Sequence, residues 1–216
     1  MSYDFVLFDL DGTLTDSAEG IVNSVVYALE RKGVPYVSKQ ELRRFVGPPL
    51  QASFRDHCGF SEEEAKDAVS VFREYFTEKG IYENAVYEGV PEMLLSLCKA
   101  GFKLAVATSK PEAFAKQILE RFDLAKYFTV IAGASMDGTD KPTVIRLALS
   151  RLNTEPSSRV LMVGDREHDI LGAKEVGISS LGVLYGYGSK EELEEAGAAY
   201  IAASPSAITS HCLQGI

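Results

Sequence analysis

Five short runs, "DFVLFDL" (4–10), "FKLAVAT" (102–108), "FTVIAG" (128–133), "RVLMVG" (159–164) and "SSLGVL" (179–184), are almost wholly apolar and rich in β-branched or aromatic residues. A strand with one wet face alternates polar and apolar side chains. These runs do not, so they predict strands covered on both faces, the signature of a parallel sheet lying between helices. The intervening segments carry helix signals. Pro91 opens "PEMLLSLCKA" and Gly101 closes it, and Pro111 opens "PEAFAKQILERF" in the same way. From about Tyr87 onward, strand and helix therefore alternate as right-handed βαβ units.

Residues 16–80 break that rhythm. Asp16-x-x-Glu19, Ser38-x-x-Glu41 and Ser61-x-x-Glu64 each have the form of a capping box, and Gly33, Gly47 and Gly80 stand where helices would stop. Ile21, Val22, Val25, Val26 and Leu29 share one helical face. The expected fold is thus α/β, a Rossmann-like parallel sheet with helices on both faces. Residues 1–15 and 81–216 form the core domain, and a small all-α domain, 16–80, is inserted after strand 1. A length of 216 residues, 46% of them hydrophobic, is enough for both. The last eight residues, "TSHCLQGI", show no periodicity and are expected to fray.

Strand 1 runs into "FDLDGTLTD", where Asp9 and Asp11 leave the same side of an extended chain and repel each other. Such a pair requires a nearby cation or proton. Gly12 lets the backbone turn sharply after it. Thr108 and Ser109 end the second run, Lys141 opens a helix in "TDKPTVIRLAL", and Asp165 and Asp169 follow the fourth run in "GDREHDI". A parallel sheet gathers all its strand ends on one edge, so these segments converge on one crevice. Four carboxylates, a lysine and a hydroxyl suit a hard divalent cation with oxygen ligands, Mg²⁺ above all.

Together, "DLDGTLTDS", "TSK", "KP" and "GDREHD" resemble, in order and spacing, the four motifs of haloacid dehalogenase superfamily phosphatases. The helical insert resembles that family's small cap, and "GVLYGYGSKEELEEAGAAYI" resembles the phosphoglycolate-phosphatase-like branch. The resemblance implies Asp9 as nucleophile, Asp11 as general acid and base, and Lys141 as the neutralising cation. It implies Thr108, with Ser109, at the phosphate, and Mg²⁺ on Asp9, the Asp11 carbonyl, Asp165 and Asp169. It implies Arg44 and Gly47 of the "RRFVGPP" segment as contacts to the leaving group. The substrate would be a small phosphate monoester of the phosphoglycolate or nucleoside monophosphate type. Asp11 argues against the dehalogenases and phosphonate hydrolases of the superfamily, which need no acid for an ester oxygen. A sugar phosphate mutase keeps all four motifs and stays open as an alternative, as does, more remotely, a phospho-aspartate signalling module.

Other features read as scaffold. Lys110 is taken as a solvated helix-start residue, "GYG" at 186–188 as a turn, and Glu191, Glu192, Glu194 and Glu195 as a solvated face. A net charge of -9 argues against a nucleic acid polymer or an anionic membrane as partner. Three scattered cysteines, no signal peptide and no long apolar stretch point to the cytoplasm. Nothing in the pattern specifies an assembly beyond a monomer or weak homodimer.

Overall fold

The expected strands form, joined by further short ones, in the computed structural model, which describes residues 3–136 and 138–214. In chain order they are β1 (Phe5–Phe8), β2 (Thr15–Asp16), β3 (Ala85–Val86), β4 (Lys103–Pro111), β5 (Val130–Ala134), β6 (Val160–Gly164), β7 (Ser179–Val183) and β8 (Tyr200–Ala202). The helices are α1 (Ala18–Arg31), α2 (Leu50–Cys58), α3 (Glu62–Glu78), α4 (Val90–Lys99), α5 (Glu112–Arg121), α6 (Lys141–Arg151), α7 (Glu167–Val176), α8 (Lys190–Ala196) and α9 (Pro205–Leu213).

Among the described residues, a six-stranded sheet runs in the order β5-β4-β1-β6-β7-β8, and each pairing is parallel. The chain leaves β1 for β4 and β5 on one side, then returns past it to β6, β7 and β8. That reversal puts a topological switch point between β4, β1 and β6. Leu7, Ala105, Ala107 and Met162 face Val144, Ile145 and Ala148 of α6 and Ala173 of α7, all nearly or fully buried. Burial of the alternate residues Val6, Phe8, Leu104, Val106, Leu161 and Val163 on the opposite side explains why the runs are continuously apolar.

By its contacts the chain divides into two compact units, one made of the segment up to Thr15 with that from Val86 onward, the other of Asp16–Ala85. In the second unit α1 packs on α3 and α3 on α2. Phe45 lies edge-on to Phe54, with ring centroids 5.1 Å apart, and against His57 at 5.4 Å. Of the three capping motifs, only Ser61 with Glu64 forms the full reciprocal box, at the start of α3. Asp16 instead accepts from the Ala18 amide at 3.2 Å, so α1 starts one residue later than a box on Asp16 would place it. Ser38 caps the Glu41 amide at 3.3 Å, but it heads only a 3-10 turn, Glu41–Phe45.

Beyond the two-residue strands β2 and β3, which pair with each other, two more elements were not anticipated. β8 is a three-residue edge strand beside β7. The expected frayed tail is corrected as well: helix α9 runs to Leu213, with Ser204 capping Ala207 at its start and Ile208 and Cys212 buried. Residues 215 and 216 of that tail lie outside the described residues.

Candidate active site

The crevice is assembled at the carboxyl ends of the three strands flanking the switch point. Asp9 follows β1, and its amide donates to the Val163 carbonyl of β6 at 2.9 Å. Gly12 sits at φ +87, in the left-handed region, and a Cβ there would lie 2.2 Å from the Asp165 carboxylate. A residue other than glycine is excluded on both counts, which is why the chain can fold back beside the acids. Thr108 lies on β4, Asp165 directly after β6, Asp169 in the first turn of α7 and Lys141 at the first position of α6.

All the proposed core residues except Ser109, which is half-buried, are buried. Lys141 Nζ stands 2.7 Å from Asp9 Oδ1 and 2.6 Å from Asp169 Oδ1, and it donates to the Ala107 carbonyl at 3.1 Å. Oxygens of Asp9, Asp165 and Asp169 all lie within 4.8 Å of one another. Burial pushes the Asp9 carboxyl up, the Lys141 charge pulls it back, and the balance leaves it at about 6. Burial, then the Asp169 and Asp9 charges, hold Asp165 well above the ordinary carboxylate range, against the Tyr187 amide, which pulls it down. Burial disfavours the Lys141 ammonium, but Asp169 and Asp9 outweigh that and keep it charged.

Three readings of the scaffold are corrected here. Lys110 is not solvated: its ammonium is buried and stands 2.8 Å from Asp11 Oδ2. The cause is that β4 continues as far as Pro111, with an irregular register between Thr108 and Pro111, so Lys110 is part of a strand end. "GYG" is more than a turn. The Tyr187 amide donates to Asp165 Oδ2 at 2.8 Å, and Thr13 Oγ1 donates to Oδ1 at 3.2 Å. A Cβ on Gly186 would come within 2.4 Å of Asp165 Cβ, and one on Gly188 within 2.0 Å of its carbonyl, so two glycines let this loop close on the acid. Tyr185, at its start, donates to the Thr13 carbonyl at 3.0 Å. In the acidic run Glu191, Glu194 and Glu195 are exposed as expected, and only Glu192 departs: it accepts from Arg166 Nε at 2.7 Å and from the Glu167 amide at 2.9 Å, bracing the Asp165 loop.

In the second unit, Arg44 is exposed and Gly47 half-buried at φ +104. An open cavity of about 630 Å³ there is lined by Glu19, Asn23, Lys39, Arg43, Glu83 and Asn84, among others. Its wall is ordered by Lys39 donating to Asn23 at 2.8 Å and Asn23 to Glu83 at 2.9 Å.

Fold and crevice together define a doubly wound α/β enzyme with its polar groups at the switch point. The sequence matches the haloacid dehalogenase-like hydrolase family over residues 6–183, and the chain belongs to that family. A 5'-nucleotidase of Pseudomonas aeruginosa is 45% identical over 195 residues, covering 89% of this chain and 88% of the relative. A phosphoglycolate phosphatase of Vibrio parahaemolyticus is 33% identical over 208 residues, 92% and 91% of the two chains. A Mycobacterium tuberculosis protein named tyrosine-protein kinase PtkA is 42% identical over 192 residues, which are 88% of this chain but 65% of that one. Among solved structures, a predicted phosphatase from Clostridium acetobutylicum superposes with a TM-score of 0.96 at 49% identity, covering 99% of this chain and all of its own. The protein is a hydrolase acting on phosphate esters, and among the described residues no helix is long and apolar enough to cross a membrane.

Proposed function

We propose that this phosphatase is Mg²⁺-dependent, cleaves a small cytoplasmic phosphate monoester of the nucleoside monophosphate or phosphoglycolate type, and forms an aspartyl-phosphate on Asp9. One observation carries the metal. Among the described residues, the buried charged side chains are four carboxylates, Asp9, Asp11, Asp165 and Asp169, against two ammonium groups, Lys110 and Lys141. With all four acids ionised, four negative and two positive charges leave -2, the charge that one divalent cation cancels, and three of the acids already converge. Asp9, Asp165 and Asp169, with the Asp11 carbonyl, would hold the ion, which would supply charge neutralisation at the phosphoryl group.

Asp9 attacks phosphorus in line with the leaving oxygen, and the phosphorus–oxygen bond to the leaving group breaks as Asp11 gives that oxygen its proton. In the second step Asp11, now ionised, takes a proton from water as the water oxygen attacks. The acyl phosphate opens, returning Asp9 and releasing inorganic phosphate. Thr108, with Ser109, donates to the phosphoryl oxygens, and Lys141 balances the charge shared by Asp9 and the transferred group. The names of the nucleotidase and phosphoglycolate phosphatase relatives support the substrate class. Screening a panel of phosphorylated metabolites with Mg²⁺ tests it; phosphate released from none of them, or equally without metal, would reject it. Recovery of the phosphoryl group on a second hydroxyl instead of in water would select the mutase alternative.

Residues 16–80 are proposed to select the leaving group, with Arg44 and Gly47 among the contacts. Arg44→Ala is then expected to raise KM for the metabolite substrate by roughly tenfold, the loss of one charged contact, and to spare para-nitrophenyl phosphate. Equal loss on both would place Arg44 elsewhere.

The metal also sets a pH signature. Asp9 and Asp165 bind protons more tightly folded than unfolded, so the contribution of each to stability falls as pH rises, that of Asp9 being lost as pH passes about 6. Lys141, raised, contributes fully throughout this range. His57 and His211, lowered by burial, act in the opposite sense. The comparison is therefore with Asp9→Asn, which keeps both. Metal-free wild type should lose melting temperature relative to this variant between about pH 4 and about pH 6.5, and Mg²⁺ should restore it. A constant difference, unaffected by Mg²⁺, would contradict the reading.

A further inference from the structure

The two lysines of the crevice are distributed one to each catalytic carboxylate. Lys141 serves Asp9, and Lys110 serves Asp11. The Lys110 side chain is 6% exposed and its Asp11 partner 8%, so this is a buried pair and not a surface contact. A lysine in that position gives up its hydration, and a buried pair of this kind is poor at raising stability over an apolar substitute. Its geometry shows what it does achieve. Asp11 Oδ2 is fixed by the ammonium, while Asp11 Oδ1 is buried and has no hydrogen-bond partner. Lys110 is itself held from behind, its amide donating to Thr108 Oγ1 at 3.2 Å across the irregular end of β4. The residue that reaches Asp11 is thus anchored to the hydroxyl assigned to the phosphoryl group.

We propose that Lys110 is a positioning residue for the proton-transfer step: its ammonium pins one oxygen of Asp11 and leaves the other as the single oxygen available to the leaving group and, later, to water. The inference rests on the acid and base role read for Asp11. It assigns Lys110 no contact with the substrate. A carboxylate that rotates freely presents its proton in the productive direction only part of the time, and general acid catalysis depends on that geometry before it depends on acidity.

The test uses Lys110→Met and Lys110→Arg in the full-length protein, alone and combined with Asp11→Asn, with two substrates. One is an alkyl phosphate that the wild type turns over, and the other is para-nitrophenyl phosphate, whose leaving group departs without a proton. Lys110→Met should lower kcat on the alkyl phosphate by about 100-fold with KM within about threefold. First-turnover release of para-nitrophenolate should fall by less than about tenfold, because that step needs no acid. On top of Asp11→Asn, Lys110→Met should cost less than about threefold more, since a residue acting through Asp11 has nothing left to act on. Lys110→Arg should recover at least about tenfold over Lys110→Met, because it restores a cation. Additive losses in the double variant, or a loss expressed in KM on both substrates, would overturn the proposal and make Lys110 a phosphate ligand or a fold residue. Should Lys110→Met not fold, Lys110→Gln carries the same cycle. The underlying reading fails separately: Asp11→Asn retaining wild-type turnover of the alkyl phosphate would remove the acid and base role whatever Lys110 does.

Discussion

Asp9→Asn is expected to lower kcat by on the order of 10⁵-fold or more, the scale seen when a covalent nucleophile is removed, while leaving the metal-free protein at least as stable at neutral pH. The two halves of this expectation come from the same burial. Asp9 is 5% exposed among Asp11, Asp165 and Asp169, and its carboxyl is driven up to about 6. Replacing it by a neutral amide removes one buried like charge, so stability should not fall, but an amide is not a nucleophile toward phosphorus. Phosphate release, intact-mass detection of a quenched phosphoryl adduct, and a melting curve in chelator check it together. Beryllofluoride with Mg²⁺ should raise the melting temperature of wild type and not of the variant. A variant within tenfold of wild-type activity would end the phospho-aspartate reading; one inactive only because it is unfolded would contradict the electrostatics.

The sequence carries the sheet clearly because a strand covered on both faces must be apolar at every position. Val6, Leu7 and Phe8 are all fully buried, and so are Leu161, Met162 and Val163. β8 escaped because Tyr200–Ala202 is a short edge strand, half-exposed and flanked by alanines that suit helix as well. α9 escaped because its buried residues are few, although the Ser204-Pro205 pair that starts it was legible. The same contrast holds in the crevice. Asp9, Asp11, Lys141 and Asp165 follow or precede recognisable elements, so topology alone brings them together. Lys110 does not announce itself: a lysine before a proline and a helix has the local pattern of a solvated residue. Only the extension of β4 to Pro111 turns it inward. The residues that hold Asp165, namely Thr13, Tyr187 and, at one remove, Glu192, act through a backbone amide or across more than twenty residues of sequence. No local spacing encodes such contacts. The nearest signal is Gly186 and Gly188, a pair of glycines two residues apart in the loop that follows β7.

Lys141→Met is expected to be the most damaging substitution to the metal-free protein and much less so to the metal-bound one. Lys141 Nζ sits between Asp9 and Asp169, at 2.7 and 2.6 Å, with all three groups buried. Methionine is one heavy atom shorter than lysine and fills most of its space without the charge, so packing is largely retained. What remains is Asp9, Asp165 and Asp169 within 4.8 Å of one another, with Lys110 committed to Asp11. Breaking a buried ion pair by removing one partner costs about 3–5 kcal/mol, and the carboxyls can recover part of this by binding protons. The loss in chelator should therefore be larger at about pH 8 than at about pH 5.5. Saturating Mg²⁺ supplies positive charge to the same oxygens and should return much of the lost stability, whereas Na⁺ at equal ionic strength should return little. Activity should stay at least about 10³-fold down even with Mg²⁺, because the phosphoryl group still lacks the fixed cation that would balance its charge. Chemical denaturation of wild type and variant, with chelator and with Mg²⁺, separates the contributions. If the variant were equally destabilised in both, the lysine would be acting on the fold and not on the carboxylates. If it were equally stable in both, the acids it bridges would have to be neutral already, and the case for a divalent cation drawn from their charge would fail with it.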